Sequence, residues 1–309
     1  MNTPTTYAPK FGIFGANTPS SMSTGADVAD MARLAEDLGI ESLWAAEHTV
    51  VPGTYSSHYP YDPSGKMADD HFPDPFVWLA YAAATTTRIK LATGVTVLPL
   101  RNPLIAAKQL ATLATLSDGR LILGVGTGWL EEEFEALGVP FAGRGRRHDD
   151  HLVAMRALWA QDLTSVDTNS VSFGNVVSEP RPPARTIPIV VSGSSSAAVR
   201  RAARIGDGFF PGTSDPHTLQ QLLDDLRREC VLLERDHTDI EVTVLAGGHT
   251  PDDIARGAEQ LVDAGAQRIL LTHATSQRYV TSCTLCNATS PESTRHDNLA
   301  PSPRSGAAP

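Results

Sequence analysis

The stretch that decides the fold is LATGVTVLPLRNPLIAAKQLATLATLSDGRLILGVGTG, residues 91–128. It begins with a run of apolar and β-branched residues and ends with a second such run, Leu121–Val125. Between the two lies an amphipathic segment, Pro103–Leu116, which has a proline where a helix would begin. This order of strand, helix and strand predicts a βαβ unit with parallel strands.

The same alternation continues on both sides, from Phe11 to His273. Eight strands are predicted, over Gly12–Ala16, Ser42–Ala46, Lys90–Leu98, Leu121–Val125, Ile187–Val191, Gly208–Phe210, Glu241–Ala246 and Arg268–Thr272. The predicted helices are Ala26–Leu38, Pro75–Thr86, Pro103–Leu116, Leu130–Leu137, His148–Ala160, Ser196–Ile205, Thr218–Glu234 and Pro251–Ala264. Eight strands in one domain, residues 11–273, favour a (β/α)8 TIM barrel, which typically has about 250 residues. A doubly wound sheet is the alternative, but residues 17–24 lack its phosphate-binding fingerprint.

Two insertions and two terminal segments interrupt this rhythm. Residues 48–74, after strand two, are rich in Tyr, His, Pro and Asp, and they either wall a pocket or form a solvated loop. Residues 163–183, after strand four, are predicted to be irregular. Residues 1–10 form an N-terminal arm, and the polar residues 274–309 are predicted to be disordered. The eighth barrel helix is therefore missing from the pattern, and formation of a homodimer, packing of the tail or reduced stability must compensate for the apolar surface left beside strand eight.

Composition excludes several classes of partner. The net charge of −10 leaves no broad basic surface for a nucleic acid or an anionic membrane. No apolar run approaches the roughly 18 residues of a membrane span, and no secretory segment is recognisable, so we expect a cytoplasmic protein. The odd count of cysteines (Cys230, Cys283 and Cys286) fits a reducing compartment, and the isolated Cys283–Cys286 pair lacks the context of a zinc or redox site.

A metal site is not predicted either. His148 and His151 have an i, i+3 spacing that can bind a metal on one helical face. No third ligand has a matching spacing, and the number of ligands is what makes such sites specific. We therefore interpret the two histidines as part of a helix start near a phosphate or solvent.

Two glycine-rich turns follow predicted strands. Gly193, Ser194 and Ser195 lead into a helix, so they either bind an anion through free backbone N–H groups or simply cap the helix. The residues Gly124, Gly126 and Gly128 precede three glutamates, residues 131–133, which would repel a pyrophosphate. These glycines therefore allow the close approach of a flat ring or a partner strand, or only tight barrel packing.

His48 follows strand two, at the end of the barrel where active residues collect. Because imidazole titrates near neutral pH, His48 could donate or accept a proton beside a hydride acceptor. Alternatively, it is a polar residue of the pocket without a chemical role.

The segments ESLWAAEH (41–48), 91–147 and RRAARIGDGFFP (200–211) resemble the luciferase-like barrel oxidoreductases, especially the branch that uses the deazaflavin coenzyme F420. The resemblance covers residues 11–273. It implies a bulge in strand three, often with a non-prolyl cis peptide, that backs the cofactor ring at Gly94, Val95 and Thr96, close to Gly126. It also implies that Gly193, Ser194 and Ser195 hold the cofactor phosphate and that His48 lies beside the ring.

One departure from that branch affects the substrate. Its sugar-phosphate dehydrogenases have an acid directly after the G-x-G motif, where this chain has Trp129. We therefore expect Trp129 and Glu47 to line a pocket for a small, apolar organic substrate, with His48 as the proton relay for hydride transfer to or from F420. An FMN-dependent monooxygenase that uses reduced FMN and oxygen is the alternative enzyme, and a non-catalytic flavin-binding barrel is the alternative outside enzymes.

Overall fold

The computed structural model describes residues 8–18, 24–62, 64–67, 71–248 and 250–272. The strands are β1 Lys10–Phe14, β2 Ser42–Ala45, β3 Lys90–Thr93, β4 Thr96–Val97, β5 Leu121–Gly126, β6 Thr164–Asp167, β7 Ser172–Val176, β8 Ile189–Ser192, β9 Gly208–Phe210, β10 Glu241–Leu245 and β11 Arg268–Thr272. The α-helices are α1 Gly25–Asp37, α2 Pro75–Thr85, α3 Pro103–Leu116, α4 Glu131–Ala136, α5 Arg144–Ala160, α6 Ser196–Ile205, α7 Pro216–Leu232 and α8 Pro251–Asp263.

Parallel strands close into a ring. β1 pairs with both β2 and β11, and the ring continues through β3, β5, β8, β9 and β10, with the short β4 alongside β5. The pairing of β3 with β5 closes the sheet, and Leu91 of β3 is in register with Leu121 of β5. The predicted TIM barrel is therefore confirmed, and the doubly wound sheet is excluded because an open sheet would not close on itself.

Helix starts agree with the local sequence. Asn102, Asp74 and Asp215 are the N-caps of α3, α2 and α7, and each side chain accepts backbone N–H groups of the first turn. A proline follows each cap, where its missing N–H costs no helical hydrogen bond. Of these three helices, α3 has the predicted bounds, α2 ends one residue earlier, and α7 begins two residues earlier than expected.

The core has two layers. One lies between the strands and the surrounding helices, and the other fills the inside of the barrel with Trp44, Ala92, Ile122, Val190, Phe210 and Leu270. The inner layer is capped by three side chains that stay partly exposed, those of Phe14, Val95 and Leu245. These three side chains therefore present apolar surface above the inner layer.

The prediction of an irregular segment over residues 163–183 is wrong in part, because β6 and β7 form an antiparallel hairpin there. Its strands are short and rich in Ser, Thr and Asp, so their alternation is faint in the sequence. Val166, Val171 and Phe173 nevertheless pack against Ala154 and Ala157 of α5. Tertiary contact with the helix therefore stabilises a hairpin that its own composition only weakly favours.

The start of α5 is also corrected. The helix begins at Arg144 after Gly143, which has a φ of 74°, and not at His148. His148 and His151 consequently lie within the helix and are buried, not placed at a solvent-facing start. Burial lowers the pKa of both imidazoles, so they are neutral core residues.

Several expectations fall on residues outside the described ranges. They are the N-terminal arm up to residue 7, the tail 274–309, the missing eighth helix and the Cys283–Cys286 pair. Among the described helices, none combines the length and hydropathy needed to cross a membrane.

Candidate active site at the barrel mouth

The carboxyl ends of the strands bring the predicted site residues to one end of the barrel. The N–H of Gly94, just after β3, donates to the carbonyl oxygen of Ala45 at the end of β2, at 2.7 Å. The hydroxyl of Thr93 donates to the carbonyl oxygen of Gly124 on β5, also at 2.7 Å. The segments after β2, β3 and β5 are thus fixed against one another, as the sequence predicts.

Strand three is interrupted where the resemblance places a bulge. The predicted strand Lys90–Leu98 is divided into β3 and β4, and the peptide bond between Gly94 and Val95 is cis. Beside it, a Cβ on Gly126 would lie 2.8 Å from Cγ2 of Val95. A Cβ on Gly124 would overlap the backbone of Thr93. Both glycines therefore allow β5 to lie close to the bulge. Close approach of a partner strand is one of the alternatives that the sequence left open for these glycines.

His48 forms a buried pair with a residue that the sequence did not single out. Its Nδ1 lies 2.8 Å from Oε2 of Glu133 on α4, and the two side chains are 9% and 2% exposed. The other oxygen, Oε1, accepts the N–H groups of Thr49 at 2.6 Å and Val50 at 3.4 Å. One carboxylate thus binds both the ring of His48 and the chain that follows it.

Glu47 is also buried, but its carboxylate is directed at the protein. Oε1 accepts Nε of Arg101 at 2.6 Å, and Oε2 accepts the N–H of Val97 at 3.0 Å. Arg101 also donates to Asp74, which is the N-cap of α2. Burial raises the pKa of the Glu47 carboxyl, and Arg101 opposes that shift. Glu47 therefore joins the end of β2 to β4 and, through Arg101, to the start of α2.

Aromatic rings surround the exposed side of His48. The ring centroid of Trp129 lies 5.8 Å from that of His48, 5.8 Å from Tyr55 and 5.1 Å from Tyr59, while Phe72 lies 5.1 Å from His48. The tyrosines and Phe72 come from the β2–α2 loop, residues 46–74, which the structure describes except at 63 and 68–70. This loop therefore packs its aromatic rings on His48 and Trp129.

Helix α4 holds that loop in place. Oε1 of Glu132 accepts the N–H of Ser56 at 2.6 Å and of Ser57 at 3.1 Å, and the N–H of Glu131 donates to the hydroxyl of Ser57. These hydrogen bonds lower the pKa of Glu132 to about 2. The sequence interpretation of the three glutamates, that they would repel a pyrophosphate, did not include this tethering role.

The turn after β8 caps the helix that follows, which is one of the two roles that the sequence left open. Ser195 is the N-cap of α6, and its hydroxyl oxygen accepts the N–H of Ala198 at 3.2 Å. The hydroxyl oxygen of Ser194 accepts the N–H of Gly212 at 3.1 Å. Both side chains are exposed and both hydroxyl hydrogens can still be donated, so the cap leaves donors for an anion. Gly193, with a φ of 120°, adopts a backbone conformation that favours glycine.

Glu133 is the functional candidate that sequence reasoning missed. Its run Glu131-Glu132-Glu133 resembles a solvated helix start, and nothing in the local pattern separates the third carboxylate from the other two. The sequence feature that could have indicated its burial is the next residue, Phe134, because a large apolar side chain is expected to face the core, and Phe134 is fully buried. No cluster of three metal-binding side chains is found within the described ranges.

Comparison with known proteins identifies the family. The model of the luciferase-like monooxygenase family matches residues 10–299, and the chain therefore belongs to that family. An uncharacterized protein of Mycobacterium tuberculosis (strain H37Rv) is 37% identical over 201 residues, which cover 64% of this chain and 69% of that protein.

Two further relatives carry names of activities. An F420-dependent glucose-6-phosphate dehydrogenase of Beutenbergia cavernae is 31% identical over 240 residues, 75% of this chain and 67% of that protein. A solved structure of a monooxygenase from Streptomyces bottropensis superposes with a TM-score of 0.71 at 23% identity, covering 91% of this chain and 100% of that chain. The structural likeness confirms the luciferase-like barrel fold.

Proposed function

We propose that this protein is an F420-dependent oxidoreductase that transfers a hydride to or from a small, apolar organic molecule at the barrel mouth. The observation that carries the proposal is that His48 follows β2 while the Gly94–Val95 bulge follows β3, the neighbouring strand, and that the N–H of Gly94 donates to the carbonyl oxygen of Ala45 at the end of β2. A proton-transferring side chain and an apolar ring platform thus belong to adjacent strand ends at the same end of the barrel. Kinship with an F420-dependent dehydrogenase supports the choice of cofactor.

The residues of the mouth fit a flat tricyclic ring. Phe14, Val95 and Leu245 present partly exposed apolar surface above the inner core, so a ring lying on them would bury that surface further. The hydroxyl of Thr96 is buried and has no hydrogen-bond partner among the described residues. A polar atom of the bound ring could satisfy it, and a buried hydroxyl without a partner otherwise costs about 1–3 kcal/mol.

The turn over Gly193, Ser194 and Ser195 would hold the cofactor phosphate. The first N–H groups of α6 have no partner within the helix, and the positive end of the helix dipole is directed at the same place. Two serine hydroxyls add neutral donors without adding charge. The site thus suits a phosphodiester or phosphate bound near solvent.

Bound deazaflavin would supply the hydride chemistry, and the chain supplies position, exclusion of water and a proton. Reduction of a neutral carbonyl, for example, requires one hydride and one proton, and His48 is the group placed to exchange that proton. Trp129 and Phe72 pack around the imidazole and keep water from its faces. The β2–α2 loop, anchored by Glu132, closes the remaining side.

The lining also favours an apolar substrate over a sugar phosphate. Arg101, near the mouth, is bound to Glu47 and Asp74, and Nε of Arg144 donates to the carbonyl oxygen of Gly128. Neither cation is therefore available to bind a substrate phosphate without losing these contacts. Trp129 occupies the position of the acid in the sugar-phosphate dehydrogenases and offers an apolar ring instead.

The proposal is tested by titrating the protein with F420 and with FMN, each oxidised and reduced, while following tryptophan fluorescence. Ser194→Glu places a carboxylate at the phosphate turn and should weaken F420 binding tenfold or more, since like charges about 4 Å apart repel by roughly 1–4 kcal/mol. Ser172→Glu, the same charge change on the exposed hairpin strand β7, should leave binding unaltered. Failure of the folded protein to bind either cofactor would overturn the proposal.

The second candidate is a monooxygenase that uses reduced FMN and oxygen, and the matching family model favours it. Tighter binding of reduced FMN than of either F420 form would decide for this candidate. Turnover of a panel of small apolar ketones and quinones with reduced F420, under anaerobic conditions, would decide for the deazaflavin enzyme.

A further inference from the structure

Glu133 is buried more deeply than the other glutamates of α4, and its hydrogen-bond partners differ from theirs. Its side chain is 2% exposed and touches His48, whereas Glu132 contacts only the loop and Glu135 is exposed. An ionised carboxylate only accepts hydrogen bonds. Its partners must therefore be donors at every contact, including the ring nitrogen of His48.

This contact determines which nitrogen of His48 carries hydrogen when the ring is neutral. Because Oε2 of Glu133 faces Nδ1 at 2.8 Å, the Nδ1–H form is stabilised and Nε2 is left as the proton acceptor. The same carboxylate fixes the backbone after the ring through Thr49 and Val50. A base whose second nitrogen is oriented by a buried acid is a recurrent arrangement in enzymes.

Among the hydrogen-bond and ring contacts of His48 within the described residues, Glu133 supplies the charged group. The other groups packed on His48 are Phe72 and Trp129, which do not titrate. The neighbouring acid, Glu47, is occupied by Arg101 and the N–H of Val97. Glu133 is thus the charged group that faces the imidazole in the described structure.

We propose that Glu133 is a positioning residue that holds His48 in the Nδ1–H tautomer and so makes Nε2 the atom that exchanges the proton with the substrate. This inference rests on the proposed function for the identity of the reaction. The tautomer itself is a property of the chain alone, and it can be measured without any cofactor.

The decisive variant is Glu133→Gln. Its amide oxygen can still accept the N–H groups of Thr49 and Val50, but its amide nitrogen then faces Nδ1 as a donor. Nδ1 must become the acceptor, so hydrogen moves to Nε2 and the proton-accepting position is lost. Glu132→Ala removes a loop tether without touching His48, and Glu135→Gln changes an exposed carboxylate of the same helix.

The measurement is the pair of imidazole ¹⁵N chemical shifts of His48, assigned with His48→Gln and followed with rising pH until they no longer change. We expect Nδ1–H in the wild type, Glu132→Ala and Glu135→Gln, and Nε2–H in Glu133→Gln. An Nε2–H wild type, or an unchanged tautomer in Glu133→Gln, would overturn the proposal.

Activity then separates positioning from mere stability. With oxidised F420 and the alcohol that corresponds to the fastest ketone of the panel, the hydride goes to F420 and the hydroxyl proton must go to Nε2 of His48. Glu133→Gln should therefore lower kcat by about 100-fold or more, the usual contribution of acid–base catalysis, with the Kd of F420 changed less than threefold. A kcat within threefold of wild type would overturn the role in catalysis. If F420 fails to bind while the tautomer still changes in Glu133→Gln, the positioning of His48 stands and the proposed function alone fails.

Discussion

Gly124 is the position where the packing of the site can be tested most sharply, through the substitution Gly124→Ala. The Cα of Gly124 on β5 lies against the backbone of Thr93 on β3, so an added methyl group would overlap the carbonyl oxygen of Thr93 and lie 3.2 Å from its carbonyl carbon. That carbonyl belongs to β3, which is paired with β2 on one side and with β5 on the other. It cannot rotate away as a side chain could, so β3 and β5 must separate.

The expected cost follows from this rigidity. Overpacking in a well-packed core typically costs about 1–3 kcal/mol, and a clash with backbone belongs at the upper end, so we expect a loss of about 3 kcal/mol in the free energy of unfolding. Gly126→Ala meets only Cγ2 of Val95, a side-chain atom, and should cost about 1 kcal/mol. Gly53→Ala, where nothing lies within 4 Å of the added methyl group, is the matched control and should change stability by less than about 0.5 kcal/mol.

The assay is chemical denaturation of the three variants, together with F420 titration of those that fold. The order Gly124, Gly126, Gly53 in loss of stability is the prediction, and F420 binding should weaken for the first two because the Gly94–Val95 bulge shifts. If Gly124→Ala were as stable as Gly53→Ala, the close approach of β5 to the bulge could not be what the glycines provide.

Three other outcomes follow from buried and tethering groups. Burial lowers the pKa of His148 and of His151, so the unfolded chain binds protons at these residues that the folded chain does not. The free energy of unfolding, measured by urea denaturation, should therefore fall by about 2 kcal/mol when the pH is lowered from 7 to 5.5. A free energy of unfolding that stays constant over this range would contradict the prediction. Arg120→Met should lower the free energy of unfolding by about 3 kcal/mol, because the guanidinium donates to several backbone carbonyls that would be left unpaired. A loss under about 1 kcal/mol in chemical denaturation would refute that reason. Glu132→Ala should increase the rate of trypsin cleavage after Lys66 several-fold, since the β2–α2 loop loses its anchor, whereas an unchanged rate would show that other contacts hold the loop.

Much of the barrel could be predicted because its strands are buried and therefore rich in β-branched and apolar residues. Gly208–Phe210 and Arg268–Thr272 have the predicted bounds, the strand predicted over Lys90–Leu98 is divided at the bulge, and the ends of the other predicted strands differ by two residues at most. The hairpin of β6 and β7 could not be predicted, because short polar strands show little alternation of apolar and polar residues. Their stability depends on packing against α5. The start of α5 was missed because Gly143 and Gly145 in a run of arginines suggest a loop.

The candidate site was predictable where it lies on strand ends and not where it depends on long-range pairing. His48, the bulge at Gly94 and Val95, and the turn at Gly193 follow strands directly, so topology alone brings them together. The partner of His48 is 85 residues away, on a helix whose sequence resembles an exposed one. Which of several neighbouring glutamates turns inward is decided by tertiary packing, which a local pattern does not contain.

A crystal structure of the protein with oxidised F420 would show whether the ring of the cofactor lies on the Gly94–Val95 bulge beside His48, as we propose. We expect the ring in contact with Val95, the phosphate at the Ser194–Ser195 turn, and Nε2 of His48 directed at the substrate side of the ring. A ring bound away from the bulge, or a His48 whose Nε2 is turned from the ring while Glu133 is unpaired, would refute the proposed arrangement.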